Sequence, residues 1–526
     1  MRFLSHHRTE ALVLLVVMAV AVGFRFWALD RVPPGLYPDE AMNGNDAVAA
    51  AESGEYRMFY PDNNGREGLF INLQSLAVRW FGPEPGSLRG VSALMGVLTV
   101  LGTYLLTRRL FNNWGLAALA AFLLAVGFWH VNFSRIGFRA VMSPMFAVWS
   151  FYYLYTALQT NRLWHWGVAG ALMGLGMHTY IAFRILPVAA LFLLVVYWHA
   201  VRKDFAHGRY RFTRQQVASG VAMGVAAFII TVLPLAWYFT SNPGTFTGRA
   251  GQVSVFASDE PLRDAAVNVV RTLGMFVYRG DLNWRHNLSG EPLLFWPVAA
   301  LFAVGLARSL LKVGRVLRTH GHFSSVHALL LGWFFIGLIP AFVSNEGIPH
   351  ALRALPVAPV VYIFAAEGLW WLYILVRRAY EARDARLVCI PDYLVPGTHG
   401  HDRCTSRGRS VALFTLCVVL AALAVRDART YFVTWGASAS AASAFNQDYV
   451  ELASRINAVP AGTPVLVVVQ AGGVHVNGIP MPAQTVMFMT DTATAEKQRA
   501  RNVRYVRGDE FRPGSAARGT EIFYIR

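Results

Sequence analysis

The chain has 526 residues, of which 55% are hydrophobic and 15% charged, and a formal net charge of +17. A soluble domain carries roughly a quarter charged residues, whereas here the apolar residues gather into runs of about eighteen to twenty-two, the length a helix needs to cross hydrocarbon. An ordinary soluble enzyme is excluded, and so is a nucleic-acid binder, because the basic residues cluster in connections on one side of the runs and no aromatic-basic platform accompanies them.

The N-terminus reads Arg2, His6, His7 and Arg8 before an apolar run from Ala11 to Leu29. That run exceeds a usual signal core and no small-residue cleavage site follows, so an uncleaved first span is expected. Further spans are expected at 88–107, 114–132, 140–158, 164–182, 184–200, 216–239, 293–311, 327–344, 354–376 and 410–426, making eleven with the first at 10–29. Phe, Trp and Tyr gather at their ends, as interfacial belts do. Connections such as Arg202-Lys203 with Arg209, Arg211 and Arg214, or Lys312 with Arg315 and Arg318, are rich in Lys and Arg. The opposite connections are longer and poorer in them. This asymmetry predicts a cytoplasmic N-terminus and an outside C-terminus, in a plasma (inner) membrane protein.

Two outer loops are too long for turns. Residues 30–87 contain helical stretches at 40–53 and 67–81, the second too short and polar to span and suited to lying on the membrane surface. Residues 240–292, rich in Gly, Asn and charge, have the composition of a functional lid. Their acids Asp259, Glu260, Asp281 and Glu291 read as solvated charges. After about residue 430 the composition becomes that of soluble protein. A helix near 447–458 and strands at 464–469, 503–506 and 521–525 predict a small α/β domain over 430–526.

Three cysteines are present. Cys417, inside an apolar run, reads as a small packing residue. Cys389 and Cys404 flank His399 and His401 in a basic connection, but the spacing fits no ordinary zinc finger and no metal is expected there. No disulfide framework is indicated.

The strongest chemical signal is Pro38-Asp39-Glu40, just past the first span. Two acids at a helix start suit its dipole and can be no more than that. A partly desolvated carboxylate at the membrane surface can also act as general base on an acceptor hydroxyl. The same loop offers a second acid, Glu67, in Asn63-Asn64-Gly65-Arg66-Glu67-Gly68-Leu69. Transfer of a sugar commonly uses one or more carboxylates. Arg135 and Arg139 lie in a short outer turn with His130, against the charge rule, and a planar arginine fork suits a phosphate. Tyr180 and Arg184 occupy the next outer turn, beside His178, which reads as a packed, hydrogen-bonded residue. His350 and Arg353 occupy the outer turn before the tenth span. Arg353 at a helix start opposes the dipole and calls for an anionic partner, either a substrate or Glu346.

An outer loop with Pro38-Asp39-Glu40-Ala41, a surface helix and a second acid before Gly68-Leu69 resembles the GT-C glycosyltransferases. It is most similar to bacterial members of the superfamily of protein O-mannosyltransferases and the lipid A aminoarabinose transferase. Their usual Pro-Pro-Leu after the second acid is Gly68-Leu69 here, which weakens Glu67 more than Asp39. The resemblance covers roughly residues 10–200, the later spans by topology only. It implies an all-α polytopic core over 1–429 with a small extracytoplasmic α/β domain. It further implies a transferase that moves a hexosyl or pentosyl group from a polyprenyl-phosphate donor to a protein, lipid or glycan hydroxyl. Asp39 would be the general base, with Glu40 and Glu67 beside it. His130, Arg135, Arg139, Tyr180, Arg184, His350 and Arg353 would bind donor. No cofactor is required, though a divalent cation could be clamped by Asp39, Glu40 and Glu67. A transporter or flippase of a lipid-linked or anionic substrate is the alternative. It predicts charges buried within the spans, and only a few, such as Arg25 and Glu367, are found there. A non-catalytic assembly or sensor protein would leave the outer acids and arginines unexplained.

Overall fold

The structure is a computed structural model that describes residues 2–206, 211–246, 251, 254–319, 325–388, 400–512, 514 and 516–526. The first helix, α1 (Arg2–Phe26), leads into a loop that carries α2 (Pro38–Ser53), the two-stranded hairpin β1 (Phe59–Tyr60) and β2 (Arg66–Glu67), and α3 (Leu69–Phe81). Helices α4 (Pro85–Phe111), α5 (Trp114–Val126), α6 (Phe128–Phe133), α7 (Met142–Thr160), α8 (Leu163–Gly176), α9 (Leu186–Ala206) and α10 (Arg214–Ser241) follow. The second long connection carries α11 (Pro261–Gly274), which its composition did not announce. Helices α12 (Trp296–Thr319), α13 (Ser325–Gly337), α14 (Ile339–Phe342), α15 (Ala358–Val388) and α16 (Gly400–Ala428) complete the core.

A helix lies at each of the eleven expected positions. Among the described residues, seven of the helical segments are long and apolar enough to cross a membrane. Two of the expected spans are broken near one end. One breaks at Gly127, where a Cβ would collide with the Tyr362 hydroxyl, and the other at Gly337-Leu338 ahead of Pro340. Local chemistry sets several ends. Asn112 and Asn161 close α4 and α7 in the left-handed conformation, which asparagine tolerates better than most residues. The side chain of Asn113 caps α5 at Leu116 N–H, and Thr213 with Gln216 forms a capping box on α10.

Outward-facing Ile230, Leu233 and Trp237 of α10 are exposed, which suits contact with lipid. Inside, Trp129, Phe151 and Trp333 are fully buried in one continuous apolar cluster. Where helices cross closely the contact residue is glycine. Any side chain on Gly170 of α8 would strike the Gly224 carbonyl of α10, and one on Gly305 of α12 the Phe364 carbonyl of α15. Cys417 is exposed on α16, so it does not serve as the packing residue expected. The side chains of Cys389, His399, His401 and Cys404 lie outside the described residues.

After a π-helical turn at Arg429–Trp435 the C-terminal unit begins with α17 (Ala439–Ala444) and α18 (Gln447–Asn457). Its sheet consists of β3 (Val465–Val469), β6 (Val503–Arg507) and β7 (Glu521–Ile525), ordered β6-β3-β7 and parallel throughout. The central strand is an unbroken, fully buried Val-Leu-Val-Val-Val run, as a parallel strand covered on both faces should be. A hairpin of β4 (His475–Val476) and β5 (Ile479–Pro480) and helices α19 (Ala483–Met489) and α20 (Ala495–Ala500) complete the unit. Helix α19 packs on α2. Phe488 seats against Gly44, Thr485 Oγ1 donates to Leu36 O at 2.9 Å, and Asn45 Nδ2 donates to Gln484 Oε1 at 2.8 Å. The unit is thereby fixed beside the start of α2, where Asp39 stands.

Candidate active site

Helix α2 begins with Pro38, whose fixed φ and missing N–H suit a first helical position, and Asp39 and Glu40 follow in the first turn. The N-cap residue is Tyr37, whose side chain makes no capping hydrogen bond. Successive residues on a helix point about 100° apart, so the two acids meet different surroundings. Glu40 turns inward and is fully buried. Arg89 Nε of α4 donates to its Oε2 at 3.1 Å, and the Gly137 backbone N–H donates to the same oxygen at 2.7 Å. The remaining Arg89 nitrogens donate to Pro33 O and Gly35 O, each at 2.8 Å. The Glu40–Arg89 pair ties the loop before α2 to α4 and to the turn at Gly137. Asp39 turns outward, half-buried, and accepts a hydrogen bond at Oδ1 from Asn63 Nδ2.

Glu67 ends the short hairpin and is 2% exposed. Two arginines converge on it. Arg139 Nε donates to Oε2 at 3.0 Å and Arg184 Nη2 to Oε1 at 3.2 Å. Arg139 also stacks over the Tyr180 ring, and Arg184 over Phe246, whose carbonyl it reaches at 2.9 Å. Beside them Arg66 pairs with Asp46 at 2.6 Å and donates to Asn43 Oδ1 at 2.8 Å. Burial pushes the Asp46 carboxyl up from its ordinary value, with Arg66 opposing. Arg66, Arg139 and Arg184 thus stand against Asp46 and Glu67, leaving one positive charge in excess opposite Asp39.

Some of these groups border two cavities, whereas Glu40, Asp46, Glu67 and Arg184 line neither. The inner one, of about 100 Å³, is lined by Asp39, Asn43, Asn63, Arg66, Arg139 and Tyr180 together with Phe138, Ala140 and Leu352. The outer one is an open cleft of about 740 Å³ between the core and the C-terminal unit. Asp39 and Asn63 are the two residues that line both.

The remaining candidates lie elsewhere. His130 is fully buried, its Nδ1 2.8 Å from Arg25 Nη2, and Arg25 also donates to Ala125 O at 2.9 Å. Arg135 is likewise fully buried. It donates to Phe24 O, Trp27 O, Ala28 O and Val32 O, closing the end of α1, and lies over the rings of Tyr431 and Phe432. Neither residue lines the inner cavity, which corrects their expected role in donor binding. Carbonyls left over at a helix end attract an arginine as readily as a phosphate does, and the sequence does not distinguish the two. Arg353 finds its anion in Glu346, at 2.9 Å. His178 Nε2 packs at 2.8 Å from Thr231 O.

His350 stands beside Asp281 and His286 rather than beside Asp39. Asp281, expected to be a solvated charge, is 3% exposed, with His286 Nδ1 2.9 Å from its Oδ2 and the Ala351 N–H donating to the same oxygen at 2.8 Å. Ligand atoms of Asp281, His286 and His350 lie within 4.8 Å of one another, and among the described residues this is the group that could share a metal ion. The cation clamp expected from Asp39, Glu40 and Glu67 does not form, since two of the three are committed to arginines.

Asn43, Asn63, Arg66, Tyr37 and Arg285 were not marked as functional from sequence. The signal available for Asn63 was its place in Asn63-Asn64-Gly65, three successive residues with positive φ that form the tip of the β1–β2 hairpin. Nothing local announces Arg285, which stacks 3.9 Å above the Tyr37 ring from a distant loop.

The sequence model of the dolichyl-phosphate-mannose-protein mannosyltransferase family matches residues 69–233. Among solved structures the chain resembles ArnT from Cupriavidus metallidurans bound to undecaprenyl phosphate, with a TM-score of 0.53 and 14% identity over 91% of this chain and 84% of that one. Apo ArnT from the same organism gives a TM-score of 0.51 at 15% identity over the same shares. No curated protein matches the sequence. The chain has the GT-C fold, that of a multi-pass membrane protein with a small C-terminal sheet.

Proposed function

We propose that this protein is a membrane glycosyltransferase that moves a sugar from a polyprenyl-phosphate donor to an acceptor hydroxyl at the outer membrane face, with inversion and with Asp39 as general base. The observation that carries the reading is that Asp39 borders both the inner, arginine-lined cavity and the outer cleft. A base serving a two-substrate displacement belongs at such a boundary. Bound undecaprenyl phosphate in the ArnT structure supports a lipid phosphate on the donor side.

In this reaction the acceptor oxygen attacks the anomeric carbon as Asp39 takes its proton. The bond from that carbon to the phosphate oxygen breaks, and its electron pair leaves with the polyprenyl phosphate. Arg66 and Arg139, which line the inner cavity, face the departing phosphate, with Arg184 sharing Glu67 beside them; once Asp39 has taken its proton the three arginines exceed Asp46 and Glu67 by one charge. Asn63 holds the Asp39 carboxylate in place. No metal is needed at Asp39, and transfer in the presence of EDTA is expected. The N-terminus lies in the cytoplasm and the C-terminal unit outside, in agreement with the excess of Lys and Arg in the opposite connections.

Purified full-length protein is incubated with a panel of radiolabelled polyprenyl-phosphate sugars and scored for release of the lipid phosphate. The wild type should turn over at least one donor. Asp39→Asn should remain folded and lose roughly a hundred- to ten-thousand-fold in rate, the usual contribution of general-base assistance. A well-folded wild type inert toward every donor, or an Asp39→Asn variant with most of its activity, overturns the reading.

A further inference from the structure

The outer cleft differs in chemistry from every apolar surface nearby. One wall is formed by Tyr37, Asp39, Asn63 and Asn64, and the opposite wall by Asn446, Gly472 and Gly473 of the C-terminal unit. Asn345 and Glu346 close one end. Amide side chains each offer donors and an acceptor, which is what a sugar hydroxyl, itself donor and acceptor, requires of its surroundings. The charges of the cleft balance one another, the Arg285 guanidinium offsetting Asp39 and Arg353 offsetting Glu346. Arg285 lies flat on Tyr37, and Glu346 pairs with Arg353. Burial, then the Asp39 charge, pushes the Tyr37 phenol up from its ordinary value, so it remains a neutral hydroxyl.

A hydrocarbon tail would find no comparable surface here. The apolar groove of this region, about 610 Å³ and lined by residues such as Phe26, Leu76, Trp80 and Leu94, lies between α1, α3 and α4 and shares no residue with the cleft. A peptide bound by strand addition needs a free strand edge, whereas Gly472, Gly473 and Val474 precede β4 and belong to no strand. The cleft volume falls within the ~300–1,000 Å³ range of small-molecule sites.

We infer that the cleft is the acceptor subsite and that it takes a neutral, hydroxyl-rich carbohydrate, recognised in part by the C-terminal unit through Asn446 and the Gly472-Gly473 backbone. This deepens the transferase reading and rests on it for the word acceptor. The C-terminal unit acts as a specificity element: it presents backbone and amides to the sugar while Asp39, on the facing wall, addresses the hydroxyl that reacts.

Gly472 offers a clean test, because a Cβ built there meets nothing within 4 Å and the residue has no positive φ. Gly472→Tyr therefore fills the cleft without disturbing the fold, and Asn345→Ala removes one exposed amide at its end. Full-length protein in nanodiscs is titrated on an array of neutral gluco-, manno- and galacto-oligosaccharides, with Ser/Thr peptides and sugar-free hydroxylated lipids alongside, and thermal midpoints are recorded for each variant. Expected is binding to neutral oligosaccharides, weakened at least tenfold by Gly472→Tyr and several-fold by Asn345→Ala, with thermal midpoints unchanged. Binding to peptides or lipids instead, or oligosaccharide binding that Gly472→Tyr leaves intact, overturns the inference. Wild-type protein that binds oligosaccharides in this cleft yet turns over no polyprenyl-phosphate sugar overturns the transferase reading alone and leaves the carbohydrate subsite standing.

Discussion

Asn63 donates its side-chain amide to Oδ1 of Asp39 across 24 positions of sequence, from the tip of a hairpin to the first turn of a helix. The contact fixes the carboxylate between the two cavities, with Oδ1 occupied and the second oxygen left to receive a proton. Asn63 has φ +53, a conformation that glycine also adopts without strain. Asn63→Gly should therefore keep the hairpin and lose only the amide. Its kcat should fall roughly ten- to a hundredfold, since a hydrogen bond to a charged partner contributes ~1.5–3 kcal/mol, while KM for the donor stays as it was. An unchanged kcat would remove Asn63 from the mechanism.

Glu40 and Asp39 are adjacent but should behave oppositely when changed. Glu40→Gln leaves Arg89 buried without its counter-charge, a loss of about 3–5 kcal/mol. Thermal denaturation of the detergent-solubilised protein should show a clearly lowered midpoint for Glu40→Gln and an unchanged one for Asp39→Asn. Equal midpoints for the two would contradict the inward placement of Glu40.

Glu67 is shared by two arginines, so one of them can be removed without stranding it. Arg139→Gln should leave the thermal midpoint nearly unchanged and raise the donor KM by roughly ten- to a hundredfold, through loss of a charge-assisted contact. The acceptor KM should not move. A larger effect on acceptor than on donor would reverse the assignment of the two cavities.

Arg135 provides the contrast within the same turn. It serves four carbonyls at the end of α1 and no cavity. Arg135→Leu should cost on the order of 3 kcal/mol in stability, and the protein that remains folded should show an unaltered donor KM. A selective rise in donor KM at constant stability would restore Arg135 to the binding site.

The C-terminal unit is held on α2 by close packing at Gly44, where a Cβ would lie 2.6 Å from the Phe488 ring and 2.7 Å from Leu88. Gly44→Val overpacks that contact by ~1–3 kcal/mol. Limited proteolysis should then release a fragment beginning near residue 436 faster than from the wild type. Identical cleavage rates would mean that the unit is held elsewhere.

Much of this protein is legible along the chain. Apolar runs long enough to span, bounded by Asn and Pro, place the helices at every expected position, because in hydrocarbon a segment must satisfy its own backbone and so depends little on its neighbours. The Val465–Val469 run reads as a buried strand and, with the later strands, as a small α/β domain, but their parallel pairing across about 40 and about 56 positions is set by the tertiary structure. Asp39 could also be singled out, from its place after a span and before a helix. What only the tertiary structure decides is which of the polar groups near the loop ends point at one another. Glu40 and Asp39 differ by a single helical step, yet Glu40 is committed to Arg89 and Asp39 borders both cavities. Arg135 and Arg139 are one turn apart, yet one closes a helix and the other lines the inner cavity. Charge and spacing are alike in each pair. The outcome rests on long-range partners, Arg89, Phe24 and Glu67, whose proximity is created by the packing of α1, α2, α4 and the hairpin.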